Sequence, residues 1–113
     1  MLPHHVPSVR AEEMPTEAVV LDVREPAEWA AGHIAGALHV PMNEVPSRLV
    51  SPDPLTADAP IVVVCKMGSR SAHVTAWLRQ QGYDARNLEG GMLAWAGAGR
   101  PMVGDGDAAP QVV

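Results

Sequence analysis

The chain of 113 residues has the length of one domain, and its 47% hydrophobic and 19% charged residues indicate a globular protein rather than a disordered one. Eight Lys and Arg against thirteen Asp and Glu give a net charge of −5, and because the basic residues are scattered, no nucleic-acid partner is expected. The longest aliphatic run, Ile61 to Cys65, is too short to span a bilayer, and the amino terminus lacks a basic stretch followed by a long apolar run. We therefore expect no membrane partner and a cytoplasmic location.

Aliphatic runs and helical spacings alternate along the chain. In chain order, the predicted elements are a strand at 19–23, a helix at 26–31, a strand at 37–40, a helix at 44–49, a loop at 51–60, a strand at 61–65, a helix from 69 to 81, a strand at 86–88 and a helix at 92–96. The run 61–65 is apolar throughout and the run 19–23 is aliphatic except for Asp22, a pattern typical of strands covered on both faces. The alternation predicts an α/β domain with a mostly parallel sheet over residues 1–101. Residues 102–113, rich in Gly, Asp, Ala and Pro, are expected to form a disordered tail.

Cys65 is the single cysteine of the chain. A single cysteine excludes an internal disulfide, a Cys-x-x-Cys redox pair and a multi-cysteine zinc site. The five histidines show no metal-ligand spacing. We therefore expect no metal and no cofactor, and Cys65 is either reactive by itself or an inert core residue.

The residues after Cys65 favour a reactive thiol. An apolar strand delivers the thiol to a short turn, Lys66-Met67-Gly68-Ser69-Arg70, in which Gly68 and Ser69 are expected to supply the bend and the helix cap. Free N–H groups at a helix start attract anions, and the cations Lys66 and Arg70 favour a thiolate over a thiol. Because strands of open α/β sheets end where ligands bind, Cys65 is the predicted nucleophile.

The stretch from Cys65 to Ser71 resembles the active-site loop of the rhodanese-like sulfurtransferases, whose single-domain members show Cys-x-x-Gly-x-Arg followed by Ser. The stretches 21–26, 32–37 and 82–95 resemble the other signatures of that family, in the same order, so that the resemblance runs from about Ser8 to Pro101. It implies a five-stranded, mostly parallel sheet flanked by helices on both faces.

The resemblance also implies sulfur transfer through a persulfide on the catalytic residue Cys65. Thiosulfate or a persulfide would be the sulfur donor, and cyanide, a thiol or a protein would be the external acceptor. The substrate-binding residues would be those of the loop: Lys66, Met67, Gly68, Ser69 and Arg70. Arg70 would orient the oxygens of the donor, and Lys66 would add positive charge at the mouth of the site.

Two other functions remain open from the sequence. A phosphatase or arsenate reductase of related fold also uses a cysteine and an arginine, but the resemblance associates phosphate-sized anions with five residues between them, and here there are four. A sulfur carrier or regulatory binding module with little turnover would use the same cysteine.

Several other residues of the motifs are interpreted as structural. Asp22 is expected to form a buried charge network with Arg24 or Glu25, and His33 to bind backbone in a turn. Among the wall candidates for the site are Trp95 and the pair Gly90-Gly91, since the family places that turn close to the active loop.

Overall fold

Strands and helices alternate through residues 6–49 and 59–113, the parts of the chain that the structure, a computed structural model, describes. The strands are β1 (Ser8–Val9), β2 (Val19–Asp22), β3 (Leu38–His39), β4 (Ile61–Val64) and β5 (Ala85–Leu88). The helices are α1 (Pro26–Ala31), α2 (Val45–Arg48), α3 (Ser69–Gln80) and α4 (Gly91–Gly97), and 3₁₀ turns occupy Ala11–Glu13 and Met42–Glu44. None of the described helices is long and apolar enough to cross a membrane. The four predicted strands and four predicted helices are confirmed to within a few residues, whereas most of the predicted loop at 51–60 lies outside the described residues.

The described strands form one sheet in the order β1-β5-β4-β2-β3, and every neighbouring pair is parallel. The register of β2 against β4 aligns Leu21 with Val63 and Asp22 with Val64. The carboxyl ends of the two strands therefore meet at the same edge, where Val23 N–H donates to the carbonyl oxygen of Val64 over 2.9 Å. The prediction of a mostly parallel sheet is confirmed. Cys65 directly follows the inner strand β4, at the carboxyl edge of the sheet where ligands bind in such folds.

Both faces of the sheet are covered, because the side chains of β4 alternate between two apolar layers. Ile61 and Val63 pack in one layer with residues of α2 and α3, while Val62 and Val64 pack in the other with residues of α4. All four side chains are fully buried, and burial of each contributes about 1.5–3 kcal/mol to stability. The continuous aliphatic run therefore has the two-sided burial that the sequence predicts, with helices on both faces.

A buried ion pair lies at the carboxyl end of β2. Arg24 Nη2 donates to Asp22 Oδ2 over 2.7 Å and Arg24 Nε to Asp22 Oδ1 over 3.0 Å, with both side chains at most 1% exposed. The remaining guanidinium donors bind the carbonyl oxygens of Gly32 over 2.8 Å and Glu28 over 3.3 Å. The expected charge network is confirmed between Asp22 and Arg24, and it fixes α1 to the end of β2.

The turn after α1 is held by a histidine. His33 is buried, and its Nδ1 lies 2.7 Å from the carbonyl oxygen of Trp29. The ring of His33 also stacks on Trp29 with 3.6 Å between ring centroids. The interpretation of His33 as a turn residue bound to backbone is confirmed.

Residues 102–113, for which the composition predicts a disordered tail, lie against the end of α1 in the structure. Three of their backbone N–H groups donate to carbonyl oxygens: Val103 to His33 over 2.8 Å, Asp105 to Ala30 over 3.0 Å and Gln111 to Ala31 over 2.9 Å. Met102 and Val112 pack on the apolar layer that covers Val62 and Val64. The last carbonyl groups of a helix have no partner within the helix, and this segment supplies N–H donors to those of Ala30 and Ala31.

Candidate active site

Cys65 lies directly after β4, and its side chain is buried, with 1% of the residue exposed. The N–H of Gly68 donates to Cys65 Sγ over 3.0 Å. Gly68 caps α3 in a left-handed conformation with φ of 109°, which other residues rarely adopt, so the chain can turn back towards the sulfur. A hydrogen bond from an N–H group and the start of a twelve-residue helix both favour negative charge on sulfur.

A serine and an asparagine form a second set of contacts around the sulfur. Ser71 Oγ lies 3.2 Å from Cys65 Sγ and donates to Asn87 Oδ1 over 2.5 Å. Asn87 Nδ2 in turn donates to the carbonyl oxygen of Gly68 over 3.0 Å, which fixes the orientation of the amide. Because Ser71 has a single O–H, it accepts from a Cys65 thiol while it donates to Asn87, and it can turn that proton towards a thiolate.

The sequence alone does not identify Ser71 and Asn87 as residues of the site. Ser71 belongs to the motif that carries the resemblance, but it was not assigned a place in the site. Asn87 is a buried polar residue, 7% exposed, within β5. The whole of α3 separates this strand from Cys65 in the sequence. The sequence offers one signal for Asn87, which is that a polar residue interrupts a short predicted strand. That strand pairs with β4, which leads to Cys65.

The amino terminus of α4 anchors the loop. Met92 N–H donates to the carbonyl oxygen of Cys65 over 2.8 Å, and Leu93 N–H donates to that of Lys66 over 3.1 Å. A Cβ atom on Gly91 would stand 2.5 Å from both of these oxygens, so the approach requires a glycine. The predicted closeness of the Gly90-Gly91 turn to the loop is confirmed.

Trp95 is not at the loop surface. It is 3% exposed, belongs to the apolar layer on the α4 side of the sheet, and donates its indole N–H to the carbonyl oxygen of Pro101 over 2.9 Å. The suggestion that Trp95 forms a wall of the site is therefore wrong, because its polar end is directed to Pro101 and its rings fill the core.

Arg70 is engaged by a carboxylate from α1. Its Nη1 and Nη2 donate to Glu28 Oε1 and Oε2 over 2.8 and 2.9 Å. Glu28 Oε1 also accepts the N–H of Glu25 over 3.0 Å, as part of a capping box at the start of α1. The hydrogen bond from Arg70 lowers the pKa of Glu28 to about 2, and the same contact raises the pKa of Arg70. Sequence reasoning missed Glu28 because 42 positions separate it from Arg70.

The other predicted loop residues differ in exposure. Met67 is 66% exposed and Lys66 is half-buried. Ser69 is exposed and begins α3 without a side-chain hydrogen bond to the helix end, so the expectation that Ser69 caps the helix is wrong. Gly68 takes the cap position because its left-handed backbone allows the turn.

The low pKa of Glu28 predicts how the Arg70–Glu28 pair depends on pH. The folded-state pKa lies below the ordinary carboxyl value of 4.5, so the pair stabilises the fold fully above that pH, and its contribution is lost as the pH falls towards about 2. For a half-buried pair we expect about 1 kcal/mol at neutral pH. Urea unfolding of the wild type and Glu28→Gln should differ by this amount at pH 7 and converge in acid. A difference that stays constant down to the acid limit would contradict the assignment.

A buried cysteine at the carboxyl edge of a parallel sheet, in a short loop that leads into a helix, is an arrangement that suits cysteine-dependent group transfer. The family model of the Rhodanese-like domain matches residues 8–98, and the chain belongs to this family. The family membership that the loop and the ordered motifs predict is confirmed.

Relatives and solved structures agree with this assignment. A sulfurtransferase of Allochromatium vinosum is 44% identical over 90 residues, which cover 78% of this chain and 81% of that protein. The thiosulfate sulfurtransferase GlpE of Pseudomonas aeruginosa is 39% identical over 79 residues, or 69% of each chain. The crystal structure of a rhodanese-related protein from Thermoplasma volcanium has a TM-score of 0.80 at 33% identity, and covers 86% of this chain and 97% of that one.

Proposed function

We propose that the protein is a sulfurtransferase that carries sulfane sulfur as a persulfide on Cys65. The Cys65 thiolate attacks the outer sulfur of thiosulfate and forms a sulfur–sulfur bond to it. The bond between that sulfur and the sulfonate sulfur breaks, and sulfite leaves with the electron pair. The enzyme then holds the transferred sulfur as an anionic persulfide, and no charge or atom is left over.

The observation that carries this proposal is the contact of Cys65 Sγ with the N–H of Gly68 over 3.0 Å in a loop with four residues between Cys65 and Arg70. A donor directed at the sulfur stabilises negative charge there before and after transfer. A loop with four intervening residues is shorter than the loop with five that the family resemblance associates with phosphate-sized anions. The sulfurtransferases among the relatives support the same chemistry.

The second half of the reaction requires an acceptor from outside the chain. Cys65 is the only cysteine, so no second thiol of this chain can take the sulfur. Cyanide attacks the outer persulfide sulfur and leaves as thiocyanate, which returns Cys65 to the thiolate. A thiol, free or on a partner protein, takes the sulfur as its own persulfide in the same way. A cytoplasmic location suits this cycle, because a free thiol persists in a reducing compartment.

The loop residues receive roles in donor binding under this proposal. Arg70 binds the oxygens of an anionic donor through the guanidinium N–H groups that do not donate to Glu28, and Lys66 adds positive charge nearby. The Gly68 N–H donates to the sulfur of the persulfide, and the exposed Met67 side chain favours an acceptor with an apolar surface.

Intact-protein mass spectrometry tests the proposal. After incubation with thiosulfate and removal of excess donor, the wild type should gain the mass of one sulfur atom, and Cys65→Ser, which differs by one atom, should gain nothing. Addition of cyanide should remove the extra mass and release thiocyanate. Loading without turnover for any acceptor would favour a sulfur carrier, while no loading together with hydrolysis of an aryl phosphate would overturn the proposal in favour of a phosphatase.

A further inference from the structure

The cation expected to attract an anionic donor is already paired in the structure. Both Arg70 nitrogens of the fork donate to Glu28, and the two side chains are 35% and 18% exposed. Such a bidentate, half-buried contact is stronger than a surface ion pair. The charge that the loop offers to a donor is therefore smaller than the loop sequence alone indicates.

The formal charges around the sulfur show how far Glu28 reduces the positive charge of the loop. Lys66 and Arg70 are the two cations of the loop, and Glu28 and a Cys65 thiolate are two anions beside them. The sum is zero when Cys65 is ready to react, whereas it would be +1 without Glu28. Coulomb attraction scales with the charge of the donor, so a dianion loses about twice as much from this neutralisation as a monoanion of the same shape.

We propose that Glu28 is a specificity-determining residue that disfavours doubly charged sulfur donors and shifts the enzyme towards donors with one negative charge or none, such as thiosulfonates and persulfides. This inference rests on the proposed sulfur transfer. With a thiosulfonate the Cys65 thiolate attacks the outer sulfur, the bond between the two donor sulfurs breaks, and a sulfinate leaves with the electron pair. The persulfide formed on Cys65 is the same as with thiosulfate.

Glu28 can be neutralised at the small cost in stability expected for the Arg70–Glu28 pair, with its place in the capping box kept. Its carboxylate accepts the N–H of Glu25 in the capping box of α1, and glutamine serves at this position of a capping box as well as glutamate. Glu28→Gln keeps the shape of the side chain and an oxygen acceptor for Arg70. The variant loses the negative charge and one of the two hydrogen bonds that the carboxylate accepts from Arg70.

The test compares two donors that differ in charge and little in shape, thiosulfate and methanethiosulfonate. The second-order rate constant for loading Cys65 is measured by quenched mass spectrometry for both. In Glu28→Gln we expect this constant to rise roughly tenfold for thiosulfate and roughly threefold for methanethiosulfonate. The donor concentration for half-saturation should fall, and the maximal rate should stay nearly unchanged. The preference for thiosulfate over methanethiosulfonate therefore increases about threefold.

Two further variants separate the charge of Glu28 from its contact with Arg70. Glu25→Gln removes the same charge from the same helix without removing a partner of Arg70, and its effect on the preference should be smaller. In an Arg70→Ala background, Glu28→Gln should still shift the preference towards thiosulfate, because the charge of Glu28 acts on the donor whether or not Arg70 is present. An equal change for both donors in Glu28→Gln, or no change at all, would overturn the inference, because Glu28 would then only position Arg70. Failure of the wild type to load from either donor would instead contradict the proposed function.

Discussion

Replacing Arg24 with methionine should lower the free energy of unfolding by about 3–5 kcal/mol, because it leaves the Asp22 carboxylate buried without its cation. Asp22 is 1% exposed, and Arg24 supplies three of the contacts to its two oxygens through Nε and Nη2. The carbonyl oxygen of Gly32 loses its guanidinium donor as well. Urea denaturation at pH 7 measures the loss.

The chain contains a matched control for this prediction. Asp84 and Arg86 have the same spacing as Asp22 and Arg24 and a 2.9 Å ion pair, but their side chains are 45% and 34% exposed. Arg86→Met should therefore cost less than about 1 kcal/mol. The double variant Asp22→Leu/Arg24→Met should recover part of the stability, since it removes the buried charge together with its partner. A loss in Arg24→Met as small as that in Arg86→Met would show that Asp22 finds another partner.

Gly91→Ala should lower the free energy of unfolding by about 3 kcal/mol or more and should also slow persulfide formation on Cys65. The added Cβ would stand 2.5 Å from the carbonyl oxygens of Cys65 and Lys66, and 2.6 Å from the carbonyl carbon of Lys66. These are backbone atoms, which cannot move aside without moving the loop. The backbone of Gly91 also has φ of 61°, which adds strain for alanine. Urea denaturation and loading by thiosulfate measure the two effects.

Two other glycines serve as controls that separate backbone strain from steric contact as causes of the stability loss in Gly91→Ala. Gly82 has φ of 96° but open space around an added Cβ, so Gly82→Ala should show only the conformational cost of about 1–2 kcal/mol and normal loading. Gly97 lies within α4 with open space and no such backbone strain, so Gly97→Ala should be neutral or slightly stabilising. If Gly91→Ala loaded Cys65 at the wild-type rate, the close packing of α4 on the loop would not control the site.

The parts of the fold that the sequence predicts are those with local signals. The valines of β4 form an uninterrupted aliphatic run, and the turn after Cys65 combines a glycine, cations and a helix start within a few residues. β1 has two residues, Ser8–Val9, too few to show a pattern, and it becomes a strand by pairing with β5. Strands of this length are set by the neighbour that they pair with rather than by their own propensity.

The site shows the same division between local and distant determinants. Cys65 and Gly68 are neighbours in the loop, and the sequence identifies them together. Glu28 and Asn87 reach the loop from α1 and β5, and only the packing of these elements around β4 brings them there. Long-range pairs of this kind follow from topology and register, which composition and periodicity do not contain.

Gly32 shows how a segment outside the family motifs constrains a position inside one. Its φ of 174° is extended backbone that any residue adopts, so its conformation does not require glycine. A Cβ there would instead meet the backbone oxygen of Gln111 at 2.5 Å. A chain that stops at Pro101 would lack this contact, whereas in the chain of 113 residues an alanine or serine at position 32 would displace Gln111 from the end of α1.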